Sequence, residues 1–168
     1  MRIAILADIH SNLEALEAVL RDVAEKGGAD EYWCLGDIVG YGPDPRACLA
    51  LVREKCCHVV AGNHDLAAAG EIDTSNFNPE AAHACLWTSN QLDESELSYL
   101  RSLVMEITTD EFTLVHGSPR DPAWEYIISA QSAKENFPGF QTPFCLVGHS
   151  HIPLVFEEKH RGVKFVPP

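Results

Sequence analysis

Val59-Val60-Ala61-Gly62-Asn63-His64-Asp65 is an apolar run that stops at a glycine and is followed at once by three side chains able to bind a metal or move a proton. The design recurs at Asp8-Ile9-His10, Gly36-Asp37, His116-Gly117 and Gly148-His149-Ser150-His151. Gly, Asn and Asp are ordinary turn formers, so any one of these tips alone reads equally well as a polar turn. Five in one chain do not, because open α/β sheets build their sites where strand ends converge on one edge. Pooled, the tips offer Asp8, His10, Asp37, Asn63, His116, His149 and His151, with His64 and Asp65 adjacent. Asp8 and His10 stand two apart, as do His149 and His151. In extended backbone alternate side chains point the same way, so each pair is expected to be able to converge on one ion. Imidazole, carboxylate and amide donors without an obvious thiolate suit Mn, Fe, Zn or Ni better than calcium or a structural zinc site. The set exceeds what one open catalytic ion needs. It suits two divalent transition-metal ions sharing a bridging carboxylate, roughly 3.5–4 Å apart, as used in phosphoester hydrolysis.

The elements that must position these tips follow from the pattern between them. Ile3 to Ala7 is a continuous apolar run, expected of a strand buried on both faces. Leu13, Leu16, Leu20 and Val23 lie on one helical face, and Gly27-Gly28 stops that helix. Tyr32 to Leu35 closes a βαβ unit. A stiff loop, Gly40-Tyr41-Gly42-Pro43-Asp44-Pro45, precedes a second helix through Ala47, Leu51 and Val52, and Cys57 to Ala61 is the third strand. The polar stretch 71–79 reads as a loop able to cover the site, and Pro79 opens a helix to about Gln91. Asp93 and Glu96 form a capping pattern ahead of Leu97, Leu100 and Leu103. Val104 to Thr108 and Phe112 to Val115 read as a hairpin, and strands return at Phe144 to Val147, Leu154 to Glu157 and Val163 to Val166. With neither repeat nor linker, residues 1–168 are expected to form a single domain of the α/β class: two packed mixed β-sheets flanked by helices, an αββα sandwich.

Composition narrows the partners. The chain has 168 residues, 46% hydrophobic and 22% charged, with a net charge of -13. Long nucleic acid rewards basic surfaces through counterion release, so none is expected as a partner. Cys34, Cys48, Cys56, Cys57, Cys85 and Cys145 include no Cys-x-x-Cys pair, lie mostly in apolar segments and read as reduced thiols. No run is long enough for a signal core or a membrane span, so a cytoplasmic chain without a membrane partner is expected. A homo-oligomer is left open. His58, His83 and His160 belong to none of the motifs and read as ordinary histidines. The Leu86-Trp87 pair and Trp124 read as core or loop anchors.

Asp8-x-His10, Gly36-Asp37, Gly62-Asn63-His64-Asp65, His116-Gly117 and Gly148-His149-x-His151, in this order, resemble the calcineurin-like metallophosphoesterase superfamily. Gly36-Asp37-Ile38-Val39-Gly40-Tyr41-Gly42-Pro43 and His116-Gly117-Ser118-Pro119-Arg120 are most similar to its small bacterial and archaeal phosphoesterases. The resemblance runs from residue 1 to about 155. It implies a phosphoric ester hydrolase, a phosphodiesterase or phosphatase acting on a small phosphoester. One ion would be held by Asp8, His10, Asp37 and His151, the other by Asp37, Asn63, His116 and His149. A hydroxide bridging the two ions would attack the phosphorus, His64 would protonate the leaving alkoxide, and Asp65 would orient the His64 ring.

Two departures bear on this. The superfamily's protein Ser/Thr phosphatases carry an arginine soon after Gly-Asp, whereas Asp37 is followed by Ile38-Val39-Gly40-Tyr41-Gly42. That weakens a protein-phosphatase reading and leaves Arg120 as the candidate phosphate clamp, in competition with a surface salt bridge. Relatives also continue past a strand like Val163 to Val166, so either a closing C-terminal strand is missing or the protein is naturally short, and an open sheet edge is expected. For Asp65, capping the following helix competes with orienting His64. A metal-binding scaffold of the same fold is the other reading, and the presence of His64 argues against it.

Overall fold

The computed structural model describes residues 1–160 and 162–168. The chain runs β1 (Ile3–Leu6), α1 (Leu13–Glu25), β2 (Glu31–Cys34), α2 (Pro45–Lys55), β3 (His58–Val59), α3 (Asn63–Ala68), α4 (Pro79–Gln91), α5 (Glu94–Ser102), β4 (Glu106–Thr108), β5 (Phe112–Val115), α6 (Ala130–Asn136), β6 (Phe144–Leu146), β7 (Val155–Lys159) and β8 (Gly162–Val166). Local chemistry sets several boundaries. Asn12 and Asn78 cap α1 and α4 by accepting from Ala15 N and Ala81 N. Asp93 and Glu96 form the expected reciprocal cap of α5.

β1, β2 and β3 form a parallel sheet in that order, with Ile5 opposite Trp33 and Cys34 opposite Val59. β5 pairs antiparallel with β4 and parallel with β6. Side chains alternate across the first sheet, and each face packs against a different layer. Leu6 and Cys34 join Leu16, Leu49, Val52 and Leu100 in a core beneath the helices. Trp33, Leu35 and Val60 instead meet Leu114, with Ile107, Phe112 and Leu146 packed around them. The α/β class with two packed, helix-flanked sheets is therefore observed. The first sheet is wholly parallel, and β7 and β8 form a separate antiparallel hairpin.

The expectation that β1 is buried on both faces holds for Leu6 but not for Ile5, which is 41% exposed. The reason is its place as the outer strand of its sheet, where among the described residues it pairs with β2 alone. Ile5 borders an apolar hollow of about 400 Å³ shared with Phe137, Phe140 and Phe144, whose lining includes none of the donors at the five tips. No helix among the described residues is long and apolar enough to cross a membrane.

Candidate metal centre

Each strand end turns sharply into its donor residues. Asp8, His10, Asp37, His149 and His151 have φ between 49° and 66°, in the left-handed region that L residues seldom occupy. Backbone hydrogen bonds hold these turns in place: Asp8 N to Gly36 O at 3.1 Å, His10 N to Asp37 O at 2.9 Å and Ser11 N to Ile38 O at 2.9 Å. The last tip is fixed by Gly148 N donating to His116 O and His149 N donating to Asp8 Oδ1. Asn63, His64 and Asp65 form the first turn of α3, and His64 N donates to Asp37 Oδ1 at 2.9 Å. Gly62 is indispensable to this closeness, because a Cβ there would stand 2.0 Å from that same oxygen.

All seven expected donors are brought together, in two groups. Asp8, His10 and His151 form one, with His10 Nε2 and His151 Nε2 3.0 Å apart and His151 Nε2 3.5 Å from Asp8 Oδ1. Asp37, His116 and His149 form the other, and Asn63 Oδ1 lies 3.2 Å from His116 Nε2. Asp37 Oδ2 stands between them, 3.6 Å from His10 Nε2 and 3.3 Å from His116 Nε2. The convergence does not come from alternation along extended backbone. The left-handed turns send His149 and His151 into different groups despite their spacing.

The donor set fits cations. His10 Nδ1, His116 Nδ1 and His149 Nε2 face the carbonyls of Val39, Leu35 and Trp124 at 3.2, 2.8 and 3.3 Å. A carbonyl only accepts, so each of these nitrogens carries the ring proton and the other presents a lone pair to the cluster. His116 Nε2 and His149 Nδ1 then face each other at 3.2 Å, beside Asp37 and Asn63 oxygens, with acceptors on every side. Only positive charge reconciles such a set. In the metal-free chain a proton supplies it. Burial works against charge on His116, but the adjoining Asp37 carboxylate outweighs it and raises the ring to about 9. Burial likewise disfavours the charge on Asp37, yet His116 holds that carboxyl down at about 2. Among the described residues neither group contains a thiol, and nitrogen and oxygen donors suit first-row divalent metals.

The remaining expected site residues are placed differently. A ring nitrogen of His64 lies within 4.8 Å of the His10 and Asp37 donors. Its partner is not Asp65, contrary to expectation. The Asp65 carboxylate accepts from Ile38 N, Val39 N and Gly62 N at 2.9, 3.1 and 3.0 Å, tying the Asp37 loop to α3. Burial pushes Asp65 up to about 7, with repulsion from Asp37 adding to it. The Cys85 thiol is what meets His64 Nδ1, at 3.4 Å, and Gly40 leaves room for the ring. Of the two readings for Arg120, the surface salt bridge is the one seen: Glu135 Oε2 lies at 2.5 Å and Glu125 Oε1 at 3.3 Å.

Sequence reasoning missed the aromatic border. Phe77, from the loop expected to cover the site, stands 4.9 Å from the His64 ring and 4.8 Å from Trp124. Tyr41 lies 4.9 Å from His10, and Tyr126 stacks on His149 at 3.9 Å. Tyr41 lies within the Gly36 to Pro43 stretch, whereas Phe77, Cys85, Trp124 and Tyr126 carry no motif. Their signal was membership of the three loops and the helix next to the tips.

Comparison with known proteins agrees with this geometry. The family model for calcineurin-like phosphoesterases matches residues 1–153. The crystal structure of a metallophosphoesterase from Sphaerobacter thermophilus is similar at a TM-score of 0.81 and 52% identity, covering 92% of this chain and 62% of that one. An uncharacterised protein of Methanocaldococcus jannaschii is 39% identical, over 94% of this chain and 65% of its own length. A symmetrical bis(5'-nucleosyl)-tetraphosphatase of Pectobacterium carotovorum is 28% identical, over 78% of this chain and 48% of its own length. The chain thus spans less than two thirds of the length of these relatives. With the match running through all five donor tips, the chain belongs to the calcineurin-like phosphoesterase family.

Proposed function

We propose that this chain is a two-metal phosphoric ester hydrolase acting on small phosphoesters, diesters at least as well as monoesters. The observation that carries the reading is the Asp37 carboxylate standing between two histidine-bearing groups, within 3.6 Å of His10 and 3.3 Å of His116. Asp8, His10, Asp37 and His151 would hold one divalent cation, and Asp37, Asn63, His116 and His149 the other. When bound, two such ions supply charge to the phosphoryl oxygens and make a nearby water easier to deprotonate.

The chain's own residues do the rest. Burial lowers His64 to about 4, so its free ring is neutral at pH 7, and an incoming phosphoester anion opposes that shift. Burial keeps the Cys85 thiol protonated, pushed up to about 12, so it donates to Nδ1. Once the substrate anion has drawn a second proton onto the ring, the imidazolium gives its Nε2 proton to the departing oxygen and returns to the neutral form with its proton on Nδ1, facing Cys85 Sγ. Phe77 and Tyr41 pack on the same ring and limit its rotation. With Arg120 bound to Glu135 and no basic residue directly after Asp37, a singly charged diester is favoured over a dianionic monoester.

The test is metal analysis of the purified chain combined with a panel of aryl and alkyl diesters and monoesters. Dinucleoside polyphosphates join the panel because a relative is named for them. Two ions at this centre and diester turnover are expected. Stoichiometric metal with no turnover on any ester would favour a scaffold instead, and phosphoprotein turnover with inertness toward diesters would overturn the substrate class.

A further inference from the structure

At the opposite edge of the first sheet, where β2 and β3 begin, Glu31, Cys57 and His58 present one donor atom each within 4.8 Å of one another. These residues share nothing with the five donor tips, which lie past the carboxyl ends of the strands. Their approach is built by the sheet. Trp33 pairs with His58 in the parallel register, and Cys57 N donates to Tyr32 O at 3.0 Å, which brings Cys57 beside the start of β2. Cys57 Sγ is 3.5 Å from Glu31 Oε2, and Trp33 Nε1 donates to that oxygen at 2.8 Å. The indole also meets the His58 ring edge to face, centroids 5.2 Å apart. One buried tryptophan therefore orients two of the three donors, as supporting residues do around metal ligands.

We propose that Glu31, Cys57 and His58 form a separate binding site for a thiophilic divalent cation of the zinc class. Sulfur, imidazole and carboxylate are the donor types zinc takes, and three protein ligands leave a fourth tetrahedral position for water. The thiol separates this site from the nitrogen and oxygen donors around Asp37 and gives it a different metal preference. On binding, the Cys57 S–H bond breaks, the proton goes to solvent, and sulfur donates its electron pair to the cation with no change of oxidation state. Such a cation would clip β3 to β2. β3 has only two residues in the ladder, and it leads directly into Gly62 and the donors of α3.

Cobalt(II) distinguishes this site from the other, because only a thiolate ligand gives an intense sulfur-to-cobalt charge-transfer band. The full chain is titrated with Co²⁺ under a non-chelating phosphine reductant. The band is expected to reach the intensity of one thiolate-bound ion per chain, to vanish in Cys57→Ser, to weaken at least about tenfold in apparent affinity in Glu31→Gln, and to yield to Zn²⁺ in competition. It should persist in Asp37→Ala, which disables the other centre, and in Cys85→Ser, which removes the thiol beside His64. Circular dichroism of Cys57→Ser and Glu31→Gln checks that both fold. Absence of the band in the native chain, its survival in Cys57→Ser, or its loss in Asp37→Ala would overturn the proposal.

Discussion

A methyl group on Gly62 would stand 2.0 Å from Asp37 Oδ1 and 2.3 Å from the Asp37 amide nitrogen. That is roughly 1.5 Å inside an ordinary van der Waals separation. Gly62 has φ -94° and ψ 168°, an extended conformation alanine adopts freely, so Gly62→Ala isolates the contact from any backbone preference. The two atoms it meets belong to the residue between both donor groups, and the closest one also accepts from His64 N. Relief by moving the carboxylate about 1 Å would cost on the order of 10²-fold in kcat/KM. The overpacking itself should cost about 1–3 kcal/mol, which for a chain of this size lowers Tm by roughly 2–12 °C. The measurements are thermal unfolding, metal content per folded chain and hydrolysis of a nitrophenyl diester. Gly70→Ala is the control, since Gly70 has φ 78° but no atom within 4 Å of its added Cβ. It should lose some stability and keep its metal and its rate. A Gly62→Ala protein with native metal content and native kcat/KM would refute the reasoning, as would a Gly70→Ala protein equally stripped of activity.

Four further outcomes are expected. Asp37→Ala should lower the occupancy of both cation positions, whereas His151→Ala should leave roughly one ion at this centre, both read by elemental analysis in a Cys57→Ser background. His64→Ala should keep its metal and lose about 10²–10⁴-fold on alkyl esters, with a much smaller loss on nitrophenyl esters. Uniform loss across leaving groups would argue against proton donation. Asp65→Asn exchanges an acceptor-only side chain for one whose amide must face a backbone N–H. It should therefore cost about 1–3 kcal/mol in denaturant unfolding while leaving the leaving-group dependence native. Arg120→Ala should leave KM for a diester unchanged, and a large rise would restore the phosphate-clamp role.

The donors were legible because each lies at the end of a short apolar run, where residue type and position along the chain carry the information. α4 and α5 were legible for a similar reason: Pro79 and the Asp93–Glu96 cap are local signals. What remained hidden depends on contacts between distant segments. Asp65 was expected to serve its neighbour His64, but burial beside three backbone N–H groups, two from the Asp37 loop and one from Gly62 of its own tip, claims its carboxylate. Cys85 reaches His64 from α4, and the Trp124 carbonyl reaches His149 from a loop. Neither contact has a sequence period or spacing. The left-handed turns at the donors were likewise invisible, since aspartate and histidine there give none of the warning that glycine would.

Those turns have an evolutionary consequence. A residue with a Cβ held in left-handed backbone costs about 1–2 kcal/mol, and glycine at the same place relieves this while adding roughly 0.5–1 kcal/mol of unfolded-state entropy. On this backbone term alone, the metal-free fold gains or breaks even when His10, His149 or His151, with φ of 49°, 66° and 54°, is replaced by glycine. Selection for abundance or thermal endurance alone would erode these positions first. Their retention requires selection for what the imidazoles do. Once that lapses, a lineage drifts toward a sturdier chain that keeps this architecture and has lost its chemistry.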